Sequence, residues 1–304
     1  MKMKKFLLFL LAAAGFILCA APEGFVFSND DIKTLGLRFE QAKVKIPGLK
    51  KTYRFLWLSD LHVMAQDVSE IEKKWQPAMI FRRDKRFNNP VSKLTPAQVW
   101  KKLPAVLNNS KADALFFGGD ICDTGSVANL KVLAEGFRKF KVPFIYLRED
   151  HDFSPWHLVK KDKSEQIKIS RSIDGHPDIA SIEYDDLMVI GIDNSVYNIT
   201  PAALKKFKAL LAKGKPVILL IHVPFSTAGT PALAQRHVWG GKKKMQKTTR
   251  EMLNLVTAKN SPVKAVFCGH LHGSGSLDYL TPALPQRVFK AAFEGYIGTI
   301  TVTP

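Results

Sequence analysis

Two short pairs of side chains in this sequence have the type and spacing of metal ligands. Asp60 and His62 are two residues apart, and so are His270 and His272. In an extended backbone residues i and i+2 point to the same side, so each pair can reach one point. Mixed carboxylate and imidazole ligands favour Zn, Mn or Fe over Ca or Mg alone. The full set of candidates, each directly after an apolar run, is Asp60, His62, Asp120, Asp150, His222, His270 and His272.

The number of candidates indicates two ions rather than one. A single ion takes about four to six ligands, so a larger set predicts two divalent ions that share a carboxylate. Each feature alone is weak, because a lone Asp-x-His is common and Asp120 after two glycines could cap a helix. The joint pattern is hard to produce by separate structural causes. Two divalent ions about 3.5–4 Å apart can activate a bridging water and clamp both the attacking and the leaving oxygen of a phosphoryl group.

The order of these motifs resembles the calcineurin-like metallophosphoesterase superfamily, in which D-x-H, G-D-x-x-D, G-N-H-D/E, a lone His and G-H-x-H follow one another. The resemblance covers residues 55–302. It implies an α/β fold, a four-layer α/β/β/α sandwich with mixed sheets flanked by helices, and a dinuclear site bridged by Asp120. The resemblance assigns the first ion to Asp60, His62 and His272, and the second to Asp150, His222 and His270.

The resemblance also implies three catalytic side chains. His151 lies beside the substrate phosphate, where it acts as an acid or stabilises charge at the leaving oxygen. Asp123 and Asp152 orient the neighbouring groups. A hydroxide held between the ions attacks phosphorus in line, so no covalent enzyme intermediate is required. The expected activity is hydrolysis of a phosphomonoester or a phosphodiester.

One motif departs from the family pattern, because Glu149-Asp150 stands where Gly-Asn is usual. If Asp150 still binds metal, its negative charge should tighten metal binding and make the ions weaker Lewis acids. The expected consequence is an alkaline-shifted pH optimum. The alternatives are a specialised or weakened site, or a non-catalytic phosphate- or envelope-binding protein on the same fold. Glu149 itself is expected to be a solvated loop residue.

Buried strands must position these side chains, because an Asp or His follows most of the short apolar runs. The predicted strands are 53–59, 114–118, 144–147, 188–192, 217–221 and 263–268, with two more at 287–293 and 299–302. The predicted helices are 96–108, 126–140, 201–213 and 244–258, two of them opened by Thr95-Pro96 and Thr200-Pro201. Strand–helix alternation predicts a layered α/β architecture, in which ligands gather at the carboxyl ends of the strands.

Two long loops accompany the predicted site. Residues 225–243 contain His237 and Trp239, which are expected to shape the pocket. Residues 64–94 contain a basic cluster that either overhangs the ions and recognises a phosphate group or is simply solvated. This cluster consists of Arg82, Arg83, Lys85 and Arg86. Loops of this length in a compact domain are usually functional lids or mobile.

The first 21 residues predict export. Three lysines precede the apolar run 6–21, which is short for a bilayer span but suits a secretory signal peptide. The alternative is an uncleaved membrane anchor. Residues 22–304 are expected to form a single metallophosphoesterase domain, since the sequence shows no internal repeat and no long linker. The expected location is periplasmic or secreted.

The charge balance is strongly positive, with 45 Lys+Arg against 27 Asp+Glu and a formal net charge of +18. The hydrophobic fraction of 46% excludes a disordered or collagen-like chain. A basic surface can steer the expected phosphoester substrate, an anionic small molecule or envelope component, into the site. A nuclease acting on nucleic acid is an alternative that no motif supports. No stable protein partner is implied.

Overall fold

The computed structural model describes residues 21–153, 157–160, 163–175, 177–193, 198–232, 234–241, 245–272 and 276–304. The predicted signal peptide lies outside the described residues except for Ala21. Within the described part of the chain, no helix combines the length and the apolar composition needed to cross a membrane. All the side chains predicted to act in the site fall inside the described ranges.

Two mixed β-sheets form the centre of the molecule. The strands of the first sheet are β1 (Arg38–Lys45), β2 (Tyr53–Leu58), β3 (Ala114–Gly118), β4 (Phe144–Leu147) and β11 (Tyr296–Thr303). Those of the second are β5 (Ile179–Glu183), β6 (Met188–Ile192), β7 (Val217–Leu220), β8 (Val263–Cys268), β9 (Ser276–Thr281) and β10 (Leu284–Val288). The strand orders are β1-β11-β2-β3-β4 and β5-β6-β7-β8-β10-β9. The six predicted strands before residue 270 are confirmed to within one residue.

Alternation along the strands places one face of each sheet in a shared middle layer. Phe55 and Trp57 of β2 belong to the core cluster between the sheets, together with Ile218 and Phe267 of the second sheet. Leu56, which lies between them in sequence, belongs to a different cluster on the outer face of the first sheet. This period of two is what a pleated strand imposes. Both faces of β2 are therefore buried from Phe55 to Leu58, which explains the apolar run at these positions.

Helices cover the outer face of each sheet. The longer helices are α1 (Asn29–Leu35), α3 (Pro96–Leu107), α4 (Val127–Phe137), α6 (Ser164–Asp174), α7 (Pro201–Leu211) and α8 (Lys247–Thr257), and the short ones are α2 (Gln76–Phe81) and α5 (Asp150–Phe153). Trp100 of α3 and Leu130 of α4 pack with the first sheet, whereas Phe207 of α7 and Met252 of α8 pack with the second. The predicted four-layer α/β/β/α sandwich is confirmed.

Side-chain caps fix the starts of three of the four predicted helices. The Thr95 hydroxyl accepts a hydrogen bond from the N–H of Gln98, whose side chain bonds back to the Thr95 N–H, so α3 opens with a capping box. The Thr200 hydroxyl accepts from the N–H of Ala203 at the start of α7. The four predicted helices are confirmed, and each ends one to three residues earlier than expected.

One predicted strand is wrong beyond its first two residues. The sequence predicts a strand at 287–293, but β10 ends at Val288, and Ala292–Glu294 forms a 3-10 turn. The ladder between β10 and β8 stops there because β8 ends at Cys268, and the chain then crosses to the first sheet to form β11. Most of the crossing segment is buried, so its apolar residues imitate a strand.

The first long loop contains more regular structure than predicted. Residues 64–94 include α2 and, directly after it, a π-helical turn at Arg82–Arg86. Arg83 is buried, and its guanidinium donates to Asp84 and to the backbone carbonyl of Gln66. This arginine, expected to recognise phosphate or to be solvated, is instead bonded within its own loop.

Candidate metal centre

Left-handed turns at the ends of the strands aim five of the predicted ligands. The positive φ values are 56° at Asp60, 55° at His62, 51° at Asp120, 72° at His270 and 47° at His272. Residues other than glycine rarely adopt this region, which costs about 1–2 kcal/mol per residue. The spacing predicts that the pairs Asp60/His62 and His270/His272 are extended. In the structure each pair instead converges through these turns. Strained backbone conformations persist only where the surrounding structure enforces them, and they cluster at functional sites.

Four predicted ligands meet in what we name the first ligand group, where one ligand atom of each lies within 4.8 Å of all the others: Asp60, His62, Asp120 and His272. Nε2 of His62 lies 3.2 Å from Nε2 of His272, which in turn lies 3.4 Å from Oδ1 of Asp60. Ligand atoms around one transition-metal ion are about 3–3.5 Å apart when the bonds to the ion are about 2.0–2.2 Å long. The spacing therefore fits one ion.

The second ligand group contains Asp120, His222 and His270. Nε2 of His222 lies 3.5 Å from Oδ2 of Asp120 and 3.3 Å from Nδ1 of His270. Nδ1 of His222 lies 2.6 Å from the carbonyl oxygen of Gly118, which can only accept. Nδ1 therefore carries a hydrogen, and Nε2 faces the other ligands.

Asp120 belongs to both ligand groups. Its carboxylate is buried, and Oδ1 has no hydrogen-bond partner among the described residues. A buried carboxylate oxygen without a partner is costly unless a cation binds to it. Two groups of ligands joined by one such carboxylate fit a pair of divalent ions.

The charges of the two ligand groups are strongly coupled. Burial raises the pKa of Asp60, but His222 and His272 outweigh burial and lower it to about 2. Burial also raises the pKa of Asp120, but His222, together with His151 and His62, outweighs burial and lowers it below its usual value. Burial lowers the pKa of His270, which together with the charge of His222 brings it to about 3. The centre therefore presents ionised carboxylates beside a neutral His270, the protonation states that metal ions require.

Asp150 is the remaining predicted ligand. Among the described residues, it belongs to neither ligand group. It begins α5 and is half-buried. Burial raises the pKa of its carboxyl group, and the charge of Asp120 raises it further, so the two carboxyl groups are electrostatic neighbours. A metal-binding role for Asp150 stays a prediction.

His151 lies at the opening of the site, beside Asp123. Nδ1 of His151 is 2.9 Å from the carbonyl oxygen of Asp123 and donates to it, while 30% of the His151 side chain is exposed. Burial lowers the pKa of His151, but the charges of Asp120 and Asp123 outweigh burial and raise it above its usual value. A protonated imidazole in this position is suited to hydrogen-bond a leaving oxygen.

Asp152 is buried behind the shared ligand. Its carboxylate accepts hydrogen bonds from the backbone N–H groups of Asp120 at 2.8 Å, Cys122 at 2.8 Å and Glu149 at 3.0 Å. Burial and the charge of Asp120 raise the pKa of Asp152 to about 7. The position suits a residue that joins the Asp120 turn to the start of α5.

Two expectations about the surroundings of the site are wrong. Glu149 is buried rather than solvated, and neither of its carboxylate oxygens has a partner among the described residues. Trp239 packs on Phe225, with ring centroids 5.3 Å apart, inside the core of the second sheet rather than against the pocket. His237 is exposed, and its ring centroid lies 6.1 Å from that of His270, so it borders the second ligand group.

Sequence reasoning missed two contacts that support the first ligand group. Phe87 stacks on His62, with ring centroids 4.3 Å apart and an interplanar angle of 9°. Arg82 pairs with Asp123 through two hydrogen bonds, of 2.7 and 2.5 Å. Both residues come from the 64–94 loop, and no motif marks them. The basic cluster pointed to Arg82 but suggested a different partner.

Comparison with known proteins identifies the family. Residues 53–274 match the family model of the calcineurin-like phosphoesterases. This span contains both ligand groups together with His151, Asp123 and Asp152. The chain therefore belongs to the calcineurin-like phosphoesterases, a family of hydrolases that act on ester bonds. The family resemblance predicted from the motifs is confirmed.

Two curated relatives are similar over part of their length. The 3',5'-cyclic adenosine monophosphate phosphodiesterase CpdA of Escherichia coli is 24% identical over 198 residues, which cover 61% of this chain and 66% of that protein. The probable glycerophosphodiester phosphodiesterase GpdQ of Arcobacter nitrofigilis is 26% identical over 169 residues, which cover 53% of this chain and 57% of that protein. The chain thus matches less than two thirds of the length of each of these relatives.

Solved structures share the fold at low sequence identity. A dimetal phosphatase from Danio rerio superposes with a TM-score of 0.51 at 10% identity, covering 81% of this chain and 89% of the other. A purple acid phosphatase from yellow lupin (Lupinus luteus) seeds also gives a TM-score of 0.51, at 12% identity, covering 83% of this chain and 45% of the other. These similarities support the sandwich of two sheets and flanking helices.

Proposed function

We propose that the chain is an exported, metal-dependent phosphoesterase that hydrolyses a phosphodiester or a phosphomonoester. The observation that carries the proposal is Asp120, whose buried carboxylate belongs to both ligand groups and leaves one oxygen without a hydrogen-bond partner among the described residues. Membership of the calcineurin-like phosphoesterases supports ester hydrolysis as the reaction.

Two divalent transition-metal ions, Mn, Fe or Zn, are the cofactors that this set of ligands fits. When bound, such ions supply Lewis-acid activation of the nucleophile and of the phosphoryl oxygens. The proposed ligands of the first ion are Asp60, His62 and His272, those of the second are Asp150, His222 and His270, and Asp120 serves both.

The remaining polar residues position the substrate and the proton. His151 keeps part of its ring exposed and donates a proton or hydrogen bond to the leaving oxygen, while its Nδ1–H is anchored on the Asp123 carbonyl. Asp152 fixes the Asp120 turn by accepting backbone hydrogen bonds. The chain thus contributes a proton donor and a rigid support beside the proposed ions.

The substrate class follows from the relatives and from charge. Both curated relatives are named as phosphodiesterases, which favours a diester for this chain. The formal net charge of +18 favours an anionic substrate, either a small molecule or an envelope component. Export rests on the basic and apolar start of the sequence, and the mature chain is then 22–304.

Hydrolysis of nitrophenyl esters by the metal-free and metal-loaded protein tests the proposal. We expect Mn or Zn to restore hydrolysis of bis-nitrophenyl phosphate, and of nitrophenyl phosphate more slowly. Asp120→Asn, which keeps the size of the side chain but removes the shared charge, should lose activity at least about 100-fold. A protein that binds two ions but hydrolyses neither ester supports the non-catalytic alternative, which the departure from the family motif at Asp150 favours.

The predicted export needs its own measurement. Expression of the full chain in a bacterial host should deliver a form that starts near residue 22 to the periplasmic or secreted fraction. Mass spectrometry of the intact protein identifies that start. A full-length chain in the membrane fraction supports the uncleaved anchor instead.

A further inference from the structure

The 64–94 loop delivers one arginine to the back of the first ligand group. Nε of Arg82 donates to Oδ2 of Asp123 at 2.7 Å, and Nη2 donates to Oδ1 at 2.5 Å. The Asp123 side chain is fully buried, whereas 27% of the Arg82 side chain is exposed. A two-bond pair between a guanidinium and a carboxylate restrains both direction and distance. Arg82 therefore fixes the orientation of the Asp123 carboxylate.

Asp123 in turn bonds to a predicted metal ligand. Its Oδ1 lies 2.9 Å from Nδ1 of His62, and an ionised carboxylate can only accept. Nδ1 of His62 therefore carries the hydrogen, which leaves the lone pair of Nε2 directed at the first ligand group. A carboxylate behind a metal-binding histidine selects the tautomer and the ring orientation in this way.

The Phe87 ring contacts both Arg82 and His62. The His62 ring lies nearly parallel to Phe87, with 4.3 Å between ring centroids, and Cζ of Arg82 lies 4.8 Å from the Phe87 ring centroid. The π-helical turn Arg82–Arg86 connects Arg82 to Phe87, and such turns are frequent at functional sites. Packing and hydrogen bonding thus restrain His62 from two directions.

We propose that Arg82 is a positioning residue for the first metal ion. It fixes Asp123, which fixes the tautomer and direction of His62. Two nitrogens of the Arg82 guanidinium donate hydrogen bonds to Asp123. We therefore assign Arg82 this positioning role instead of the phosphate recognition predicted for the basic cluster. The proposal rests on the proposed metal-dependent function.

Metal titration of Arg82→Ala tests this role without an activity assay. The metal-free protein is titrated with Zn²⁺ against a chromophoric chelator. We expect two sites in the unchanged protein and, in Arg82→Ala, a loss of about 10–100-fold in the affinity of one site. Long-range ¹⁵N–¹H spectra of the Zn-loaded proteins should show His62 with the hydrogen on Nδ1, and a loss of that single tautomer in the variant.

Two variants of the same turn serve as controls. Arg86→Ala removes an exposed arginine whose Cζ lies 5.8 Å from the Phe87 ring centroid. Arg83→Met removes a buried arginine that bonds to Asp84, so it perturbs the turn without removing a partner of Asp123. Both controls should keep the two dissociation constants within about twofold of the unchanged protein.

The outcomes separate this proposal from the proposed function. If Arg82→Ala binds both ions with unchanged affinity, or if Arg83→Met weakens the same site equally, Arg82 has no specific positioning role. If the unchanged protein binds no transition metal at all, the proposed function itself fails, which is a different result.

Discussion

Burial sets two of the proposed ligands, Asp120 and His222, apart from His151, although His272, a third ligand, is 36% exposed. Nε2 of His222 and Oδ2 of Asp120 are 3.5 Å apart, and both side chains are almost completely buried. His151, by contrast, keeps 30% of its side chain exposed. A proton donor has to touch the leaving group, so its side chain has to be reachable from solvent. The two kinds of residue should therefore respond differently to substitution.

His151→Ala should slow hydrolysis in a way that depends on the leaving group. We expect kcat to fall about 10²–10⁴-fold for an alkyl phosphoester, because a poor leaving group needs a proton. The loss should be much smaller for a nitrophenyl ester, which departs without one. The measurement is kcat for both esters, with the metal content of the variant as control. Equal losses for the two esters contradict a role in proton donation.

Asp150→Asn should move the acidic limb of the pH–rate profile to lower pH. The substitution removes a negative charge from a site that already contains Asp120, so bound ions become stronger Lewis acids and bind less tightly. The profile is recorded at saturating metal. Asp67→Asn, which removes one charge from an exposed loop, is the control. An unmoved acidic limb rejects the predicted alkaline shift.

The site residues that belong to short sequence motifs were predictable. The ligands of both groups follow directly after strands, and their types and order are visible in the sequence. Arg82 and Phe87 were not predictable in their present roles, because their contacts depend on how a long loop folds back. The burial of Glu149 was also missed, since a carboxylate in a loop is usually solvated.

At the scale of elements, the turn after β3 brings the first sheet into contact with the second ligand group. Gly119 has φ of 95°. A Cβ added to Gly119 lies 2.6 Å from Nδ1 of His222, and one added to Gly118 lies 2.0 Å from the Trp57 ring. Because glycine has no Cβ, the backbone at Gly119 can approach the His222 ring and the backbone at Gly118 can approach the Trp57 ring.

Gly119→Ala should weaken metal binding as well as stability. The left-handed backbone alone costs about 1–2 kcal/mol for alanine, and the contact with His222 adds to that cost and displaces a ligand. Gly175→Ala is a matched control, because Gly175 also has a positive φ, of 83°, but its added Cβ meets nothing within 4 Å. Urea unfolding and metal titration measure both effects. Equal metal affinity in the two variants contradicts the close approach.

The elements that the sequence revealed are those buried on both sides or opened by a cap. The central strands are continuous apolar runs, and Thr95 and Thr200 mark helix starts. β5 was missed, because as an edge strand it alternates buried with more exposed side chains. α6 was missed because most of its residues are polar. Edge strands and polar helices give a weak sequence signal, since packing on one side defines them.

At the scale of the whole molecule, folding buries carboxylates whose mutual repulsion has to be offset. Asp60 and Asp120 are both buried. Burial lowers the pKa of His222, but the charges of Asp120 and Asp60 outweigh burial and raise it well above its usual value. A histidine with a raised pKa contributes stability below its unfolded pKa, and this contribution is lost as pH rises through the folded pKa. In the metal-free protein, protonated His222 therefore partly replaces the missing cations.

A chelator should lower the melting temperature more at pH 9 than at pH 7. At the higher pH the metal-free protein begins to lose the stability contributed by protonated His222, whereas bound ions still offset the carboxylates. Each ion present at 100 times its dissociation constant contributes about 2.7 kcal/mol. Thermal melts with and without EDTA measure the difference. A decrease that is the same at both pH values contradicts this coupling.

β11 lies between β1 and β2, although it is the last strand of the first sheet to be synthesised. Just before it, the N–H groups of Ala292 and Phe293 donate to the carbonyls of Ser59 and Asp60, at the first ligand turn. A nascent chain therefore has a gap in the middle of its first sheet, and an unsupported ligand turn, until β11 emerges from the ribosome. If the chain is exported as proposed, this order of assembly delays folding until the last strand has been made.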